Sequence, residues 1–451
     1  MARGKKRNAK RHKAAHQNQQ NDSNRTLPLS EVKGGNGKDA SAEGISTGAD
    51  FVPLDDLGDF PKNDFPRAGK KRRYEDESDS DIEYERRDDT IDVHPWFDLM
   101  PDETIEKPSD FSPIIQKEFD CFLKYMEPTI AECTLRKYLV HKIQCIVHKL
   151  DPRATVHVFG SFAMNMYLPN SDMDLVVQGA SFSLKALAKA LERNNLCRRA
   201  QVISKAKVPI VKFVDTLTRL QVDISLGPAN GIQSAETVRS MVRTQPALRP
   251  LAMAIKHFLA LRNLNEVFTG GMGGYAIVCM VMGFLQAHPL VANSRIDPMR
   301  NLAPLLLDFL KLYGGNFNYQ RVGIDVAAEQ TGLPVFYPLT AMSTDKSGRS
   351  VFRIRDPDDY DNDLGVKSYR ADYVVKAFKG AYDTMIVKGG SVWKQVAKMD
   401  TIDFKKDGRV LSIMKPVFYI PCEMQSIRKH LYDVYTSRSW LSEPEAQSFK
   451  L

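Results

Sequence analysis

Between Val158 and Val177 the chain reads VFGSFAMNMYLPNSDMDLVV, and this stretch restricts the fold more than any other. Thr155 to Phe159 alternates as a strand and breaks at Gly160, and NSDMDLVVQG then forms a second strand with turn residues at both ends. Side chains alternate along a strand, so Asp172 and Asp174 share one face while Met173, Leu175 and Val177 take the other. Two carboxylates roughly 7 Å apart on one face repel each other unless a cation lies between them. Hard divalent ions accept such oxygens readily, and magnesium is the natural bridge. The same logic recurs in RLQVDISL, where Leu220, Val222, Ile224 and Leu226 form an apolar face and Gln221, Asp223 and Ser225 a polar one. Three acidic groups on adjacent strands can hold two divalent ions, an arrangement suited to phosphoryl transfer. A strand that ends in Gly160 and Ser161 before a helix-like FAMNMY also presents backbone N–H groups and a hydroxyl to phosphate. Alone, D-x-D is an ordinary solvated strand end and Gly160 an ordinary turn. The combination of Gly-Ser, ten intervening residues, D-x-D and a later strand bearing one Asp is far more specific.

Around this pair of strands, Phe111 to Leu150 reads as helix from Ile114, Ile115, Phe119, Phe122, Leu139 and Ile143. A helix over Leu184 to Arg193 is followed by strand-like RAQVISKAK, VPIVKFVD and RLQVDISL, which together make a small α/β lobe. From Ala247 the pattern is mainly helical, with helices expected over Pro250 to Leu261, Gly274 to Gln286 and Tyr369 to Val387. No element is legible after about Asp400. Residues 1–92 have few periodic apolar positions, cannot offset the entropy of ordering, and are expected to be disordered. Their basic clusters, ARGKKRNAKRHK and GKKRRYEDESDSD, fit nuclear import or a phosphate-binding arm, and Ser78 and Ser80 lie in acidic surroundings open to phosphorylation. The net charge of +8 favours polyanionic partners. Six dispersed cysteines without a C-x-x-C pair argue for reduced thiols rather than a disulfide frame or a zinc cluster. No apolar run has the length of a membrane helix, and the basic start has no apolar block behind it, so a soluble intracellular protein is expected.

HVFGSFAMNMYLPNSDMDLVV, SKAKVPIVKFV, VDISLGPANGI and TGGMGGYAIVCM resemble the non-canonical poly(A) polymerases of the DNA polymerase β-like nucleotidyltransferase superfamily. Within it they most resemble the nuclear surveillance branch, the catalytic subunit of the fungal polyadenylation complex that assists the exosome. The resemblance spans about Trp96 to Lys388. It implies an α+β, bilobal nucleotidyltransferase with a small mixed-sheet, palm-like catalytic lobe and a mainly helical central domain. The corresponding boundaries are a disordered tail over 1–92, a catalytic domain over 118–240, a central domain from 93–117 and 241–400, and an extension over 401–451.

By the same resemblance Asp172, Asp174 and Asp223 are the catalytic metal ligands, for Mg2+ or Mn2+, and Gly160 and Ser161 hold the triphosphate. Asn230 meets the ribose, whose 2′-hydroxyl marks a ribonucleotide. Lys256 reaches the phosphates, and Tyr275, after the glycine-rich turn, stacks on the base. Asn362, in IRDPDDYDNDLG, lies near the base, where relatives that prefer UTP often carry histidine. The residues by themselves leave Asn230 as a turn, Lys256 as a solvated lysine, Tyr275 as core and the acidic loop as turn chemistry. Calcium is disfavoured there, because the D-x-D-x-D-G spacing is not met. Lys205, Lys207 and Lys212 are candidates for an RNA path or for solvated strand ends. The implied activity is template-independent addition of AMP from ATP to 3′ ends of nuclear RNAs for surveillance and exosome-linked decay. A zinc-knuckle RNA-binding protein and an RNA helicase are the implied partners, in the nucleus or nucleolus. The alternatives are a terminal uridylyltransferase, an inactive nucleotidyltransferase scaffold, and primer-independent oligoadenylate synthesis.

Overall fold

A computed structural model describes residues 93–206, 208–227, 230–327, 334–343 and 352–449, without the side chains of 230–232. The two basic clusters, Ser78, Ser80 and Lys207 lie outside the described residues. The chain is an α+β protein. After a 3-10 helix over Pro95–Leu99 come β1 (Thr104–Glu106), α1 (Ser112–Met126) and α2 (Ile130–Leu150). The single helix expected over Phe111 to Leu150 is therefore two. Pro128 disfavours helical geometry in the residue before it, and Glu127 is extended with ψ 146°. Thr129 then caps α2 in a reciprocal box with Glu132.

Five strands make the main sheet: β2 (Thr155–Phe159), β3 (Met173–Gln178), β4 (Gln201–Ile203), β5 (Ile210–Val214) and β6 (Gln221–Leu226). Their order is β2-β3-β6-β5-β4, with only β3 and β6 parallel. A four-residue helix, α3 (Gly160–Ala163), follows β2, and α4 (Leu184–Arg193) follows β3. Met173, Leu175, Val177, Val211, Phe213, Val222 and Ile224 are fully buried on one face, which α2 and α4 cover with Leu139, Ile143, Leu187 and Leu191. That packing fixes the strand register, because a slip of one residue would turn the carboxylates into the core.

The helical lobe is built from α5 (Asn230–Thr244), α6 (Leu248–Ala260), α7 (Gly274–Ala287) and the helices Leu302–Lys311 and Ala371–Val396. Ala276 to Leu285 of α7 are all buried, as expected for a helix apolar on every side. A ribbon of Val322–Ile324 and Phe336–Pro338 leads through a parallel bridge at Ile354 into the Asp-rich loop. Among the described residues no helix is long and apolar enough to cross a membrane.

The segment after Asp400 carries structure that no local pattern announces. Thr401–Asp403 pairs antiparallel with β1. The helix Cys422–Thr436 packs on α2, and Trp440 and Phe449 lie 5.2 and 5.4 Å from the Tyr138 ring of that helix. Buried Glu118 of α1 anchors the same segment: Ser412 Oγ donates to it at 2.5 Å, and the Ile413 and Met414 amides donate at 2.8 and 3.1 Å. Burial pushes the Glu118 carboxyl above its usual range against the pull of these bonds. Glu118→Ala leaves three donors without their acceptor. It should lower unfolding stability by about 3 kcal/mol in urea titration, a surface-like change of under about 0.5 kcal/mol being the contrary result.

Candidate active site

Register decides what the sheet presents on its open face. Asp174 of β3 lies directly opposite Asp223 of β6, Asp223 lies opposite Lys212 of β5, and Asp174 lies opposite Phe159 at the end of β2. Residues directly opposite on paired strands share a face, so Lys212, Asp223 and Asp174 form one row across it. Asp172 stands two residues before Asp174, at the entry to β3. The Lys212 ammonium is 3.0 Å from Asp223 and 3.5 Å from Asp172. Asp172, Asp174 and Asp223 are thus brought together at one end of one face. Lys212, a candidate for an RNA path in the sequence, is ion-paired within this group. Lys205 is exposed in the turn between β4 and β5.

The crowding has electrostatic consequences. Burial, then Asp172 and Asp223, hold the Asp174 carboxyl well above the usual range, against Lys212 and Lys256. Burial raises Asp223 from 3.8 to about 6, opposed by Lys212 and reinforced by Asp172. Burial would lower the Lys212 ammonium, but Asp223 and Asp172 outweigh it and raise its pKa. Among the described residues no three His, Cys, Asp or Glu side chains close on one point as a finished ligand shell. The donors are nevertheless all carboxylate oxygens, burial and then the neighbouring carboxylates push Asp174 and Asp223 toward protonation, and an ammonium already stands between Asp172 and Asp223. Such a group fits a hard divalent cation.

Gly160 closes the site from the β2 side. Its φ is +67°, a conformation that side chains other than hydrogen resist, and a Cβ there would lie 2.1 Å from Asp174 Oδ2. Ser161 follows in α3, half-buried. The loop from α3 to β3 is held by cations on its carbonyls: Arg239 on Ala163 at 3.1 Å, Arg249 on Asn165 at 3.0 Å and Arg136 on Ser171 at 3.2 Å. Lys256 of α6 donates to the Met166 carbonyl. It is 8% exposed, so the solvated alternative fails for this lysine. Burial lowers it to about 8, with Asp174 and Asp172 resisting that fall. The three arginines were not singled out in the sequence, because a carbonyl target leaves no pattern of its own.

Lys256 also leads to the second half of the site. A Cβ on Gly274, in the glycine-rich turn, would lie 3.6 Å from Lys256 Nζ, and Tyr275 is the next residue, half-buried in the first turn of α7. The Tyr275 hydroxyl donates to Asp358 Oδ2 at 2.8 Å. Asn362 Nδ2 donates to Asp356 Oδ2 at 2.8 Å, and the Asp358 amide donates to Asp356 Oδ1 at 3.0 Å. The acidic loop is therefore more than turn chemistry: Arg353 pairs with Asp363 at 3.3 Å, Arg355 with Asp325 at 3.0 Å, and Arg355 bridges Asp363 through the backbone. Asn230 begins α5, and its side chain lies outside the described residues. Asp358 reads in the sequence only as turn chemistry, because its side-chain partners Tyr275 and Thr237 are more than eighty positions away.

Residues 115–242 match the family described as poly(A) RNA polymerase, mitochondrial-like, central palm domain, and residues 301–362 match the Cid1 family poly A polymerase. The chain is 36% identical over 300 residues to poly(A) RNA polymerase protein 2 of Saccharomyces cerevisiae, a match covering 65% of this chain and 50% of that one. It is 33% identical over 304 residues to the inactive non-canonical poly(A) RNA polymerase protein Trf4-2 of Drosophila melanogaster, covering 65% of this chain and 73% of the relative. The structure of the polymerase core of TRAMP, a RNA surveillance complex, superposes with a TM-score of 0.60 at 32% identity, over 72% of this chain and 98% of that chain. The chain spans about half the length of the yeast relative. With the palm sheet, its row of carboxylates and these matches together, the chain belongs to the non-canonical poly(A) RNA polymerase family.

Proposed function

We propose that this chain is a template-independent polynucleotide adenylyltransferase that joins AMP from ATP to the 3′-hydroxyl of RNA and releases pyrophosphate. The observation that carries this reading is the register that sets Asp174 opposite Asp223 with Asp172 beside them, in a chain whose relatives are named poly(A) RNA polymerases. Asp172, Asp174 and Asp223 are the residues that would hold Mg2+ or Mn2+, oxygen ligands suiting both. When bound, such ions neutralise charge at the transferring phosphate and ease ionisation of the attacking hydroxyl. Ser161 and the close backbone at Gly160 receive the triphosphate. Lys256, cationic below about pH 8, balances its charge from the helical lobe. Asn230 meets the ribose and Tyr275 stacks on the base. No covalent intermediate on the protein is needed, so catalysis rests on positioning and charge.

ATP is favoured over UTP by the Asn362 amide. A carboxylate accepts only, so the end of the amide that meets Asp356 is Nδ2. The carbonyl end is left as an acceptor, which complements the amino group of adenine and repels the O4 of uracil. A primer-extension assay on one oligoribonucleotide with each of the four ribonucleotides tests this. Preferential addition of AMP is expected, and preferential addition of UMP overturns it. Absence of addition with every nucleotide, metal and partner marks a scaffold, and product made without any RNA marks primer-independent synthesis. The likeness to the polymerase core of a RNA surveillance complex supports a role in RNA surveillance; from the sequence resemblance we infer further a nuclear site linked to the exosome, with a zinc-knuckle RNA-binding protein and an RNA helicase as partners.

Metal binding also predicts a pH dependence of stability. Asp223 titrates at about 6 in the fold against 3.8 as the ordinary value, so its ionisation disfavours the fold. In chelator, the stability it contributes is present below about pH 4 and is lost as pH rises to 6. Mg2+ or Mn2+ requires the ionised carboxylates, so added metal should raise the melting temperature at pH 7.5 and much less at pH 5. The gain is about 2.7 kcal/mol at a hundredfold excess over Kd. Asp223→Asn should flatten both effects, and an equal metal effect in parent and variant would count against this site.

A further inference from the structure

Asp358 is exposed, yet each of its carboxylate oxygens is committed to a different helix. Oδ2 accepts the Tyr275 hydroxyl from α7 at 2.8 Å, and Oδ1 accepts Thr237 Oγ1 from α5 at 2.5 Å. Its own amide is held by Asp356, the residue that also fixes the Asn362 amide. Five residues from three parts of the chain therefore meet in one connected set: Thr237, Tyr275, Asp356, Asp358 and Asn362. A half-buried tyrosine has a broad second torsion, so its ring swings unless the hydroxyl is anchored. Hydrogen bonds to an ionised acceptor are roughly twice as strong as neutral ones, which makes this carboxylate an effective anchor.

We propose that Asp358 is the positioning residue of the base platform: by holding Tyr275 and Thr237 at once, it fixes the tilt of the ring and clamps the Asn362 loop against α5 and α7. The ring that stacks on the base and the amide that reads its edge then meet the nucleotide as one preformed unit, with less ordering left to be done on binding. This inference rests on the reading of Tyr275 as the stacking surface.

The test is equilibrium binding of ATP and of UTP, with Mg2+, to the full chain by titration calorimetry, which requires neither primer nor turnover. Asp358→Ala should weaken ATP about fivefold, the order of one hydrogen bond, and narrow the ATP-to-UTP affinity ratio. Tyr275→Phe, which keeps the ring and loses the hydroxyl, should do the same. The double variant should be no weaker than Asp358→Ala alone, since the contact that Tyr275→Phe removes is already lost there. Asp358→Asn should recover most of the loss, because its amide still accepts from Thr237 and donates to the phenol oxygen. If Asp358→Ala does not fold, the Asn and Phe variants carry the test. Should Tyr275→Ala weaken ATP while Asp358→Ala and Tyr275→Phe do not, the inference is wrong and the platform stands. A Tyr275→Ala chain with parental affinity removes the platform itself. Multiplicative losses in the double variant would show two independent contributions and overturn the clamp.

Discussion

Asp174→Asn should abolish nucleotide addition, by at least about 10³, while melting at or above the temperature of the parent in chelator. The two halves of this result have one cause. Asp174 is crowded by Asp172 and Asp223 and shielded from water, and its carboxyl is held well above the usual range. A neutral amide of the same shape relieves that repulsion, and each pKa unit of relief corresponds to about 1.4 kcal/mol. The same exchange removes a charged oxygen from the group that holds the cation, so added Mg2+ should stabilise the parent and leave the variant nearly unmoved. Addition retained within tenfold would mean that the carboxylate row is structural. A large fall in melting temperature would mean that Asp174 is held by favourable partners instead of opposed by its neighbours.

Gly160→Ala should lower addition by about 10², the order of a reacting group displaced by 1 Å, and cost about 1–2 kcal/mol of stability for a side chain at positive φ. The catalytic part follows from contact: the new methyl would fall 2.1 Å from Asp174 Oδ2 and 2.8 Å from its Cγ, so the carboxylate must move. Gly179 supplies the control. Its φ is +71°, but its nearest neighbour across the missing Cβ is the Arg153 carbonyl at 3.4 Å, remote from any site carboxylate. Gly179→Ala should therefore show a similar stability loss with addition intact. Equal losses of activity in both variants would assign the effect to backbone strain alone.

Much of the sheet-bearing lobe is legible in the sequence because its strands alternate cleanly. Asp223 sits between Val222 and Ile224, both fully buried, and period-2 patterning puts it on the polar face of its strand, while its place opposite Asp174 follows from the sheet order and register. The helix Leu184–Arg193 coincides with its sequence reading because Ser183 caps it locally. What escapes is long-range. The pairing of Thr401–Asp403 with β1 involves three residues a side, too few for any periodic signal. Glu118 lies in an amphipathic helix where a glutamate ordinarily faces water, and its Ser412 partner is 294 positions away. Lys256 flanks an apolar stripe, and only the fold brings it to the Met166 carbonyl across 90 positions. The Lys212 side chain has the alternation of a solvated strand, and its ion pairs depend on the β5–β6 register. Proline at 128 was the one local signal that the helical periodicity on either side of it concealed.

The most direct measurement is an anomalous difference map from crystals of this chain soaked with Mn2+ and a non-hydrolysable ATP analogue. Density peaks within about 2.2 Å of carboxylate oxygens of Asp172 and Asp174, with Asp223 as a further ligand and the Lys212 ammonium moved away, are the expected result. Manganese bound elsewhere, or a nucleotide whose phosphates lie away from these three aspartates, would contradict the account.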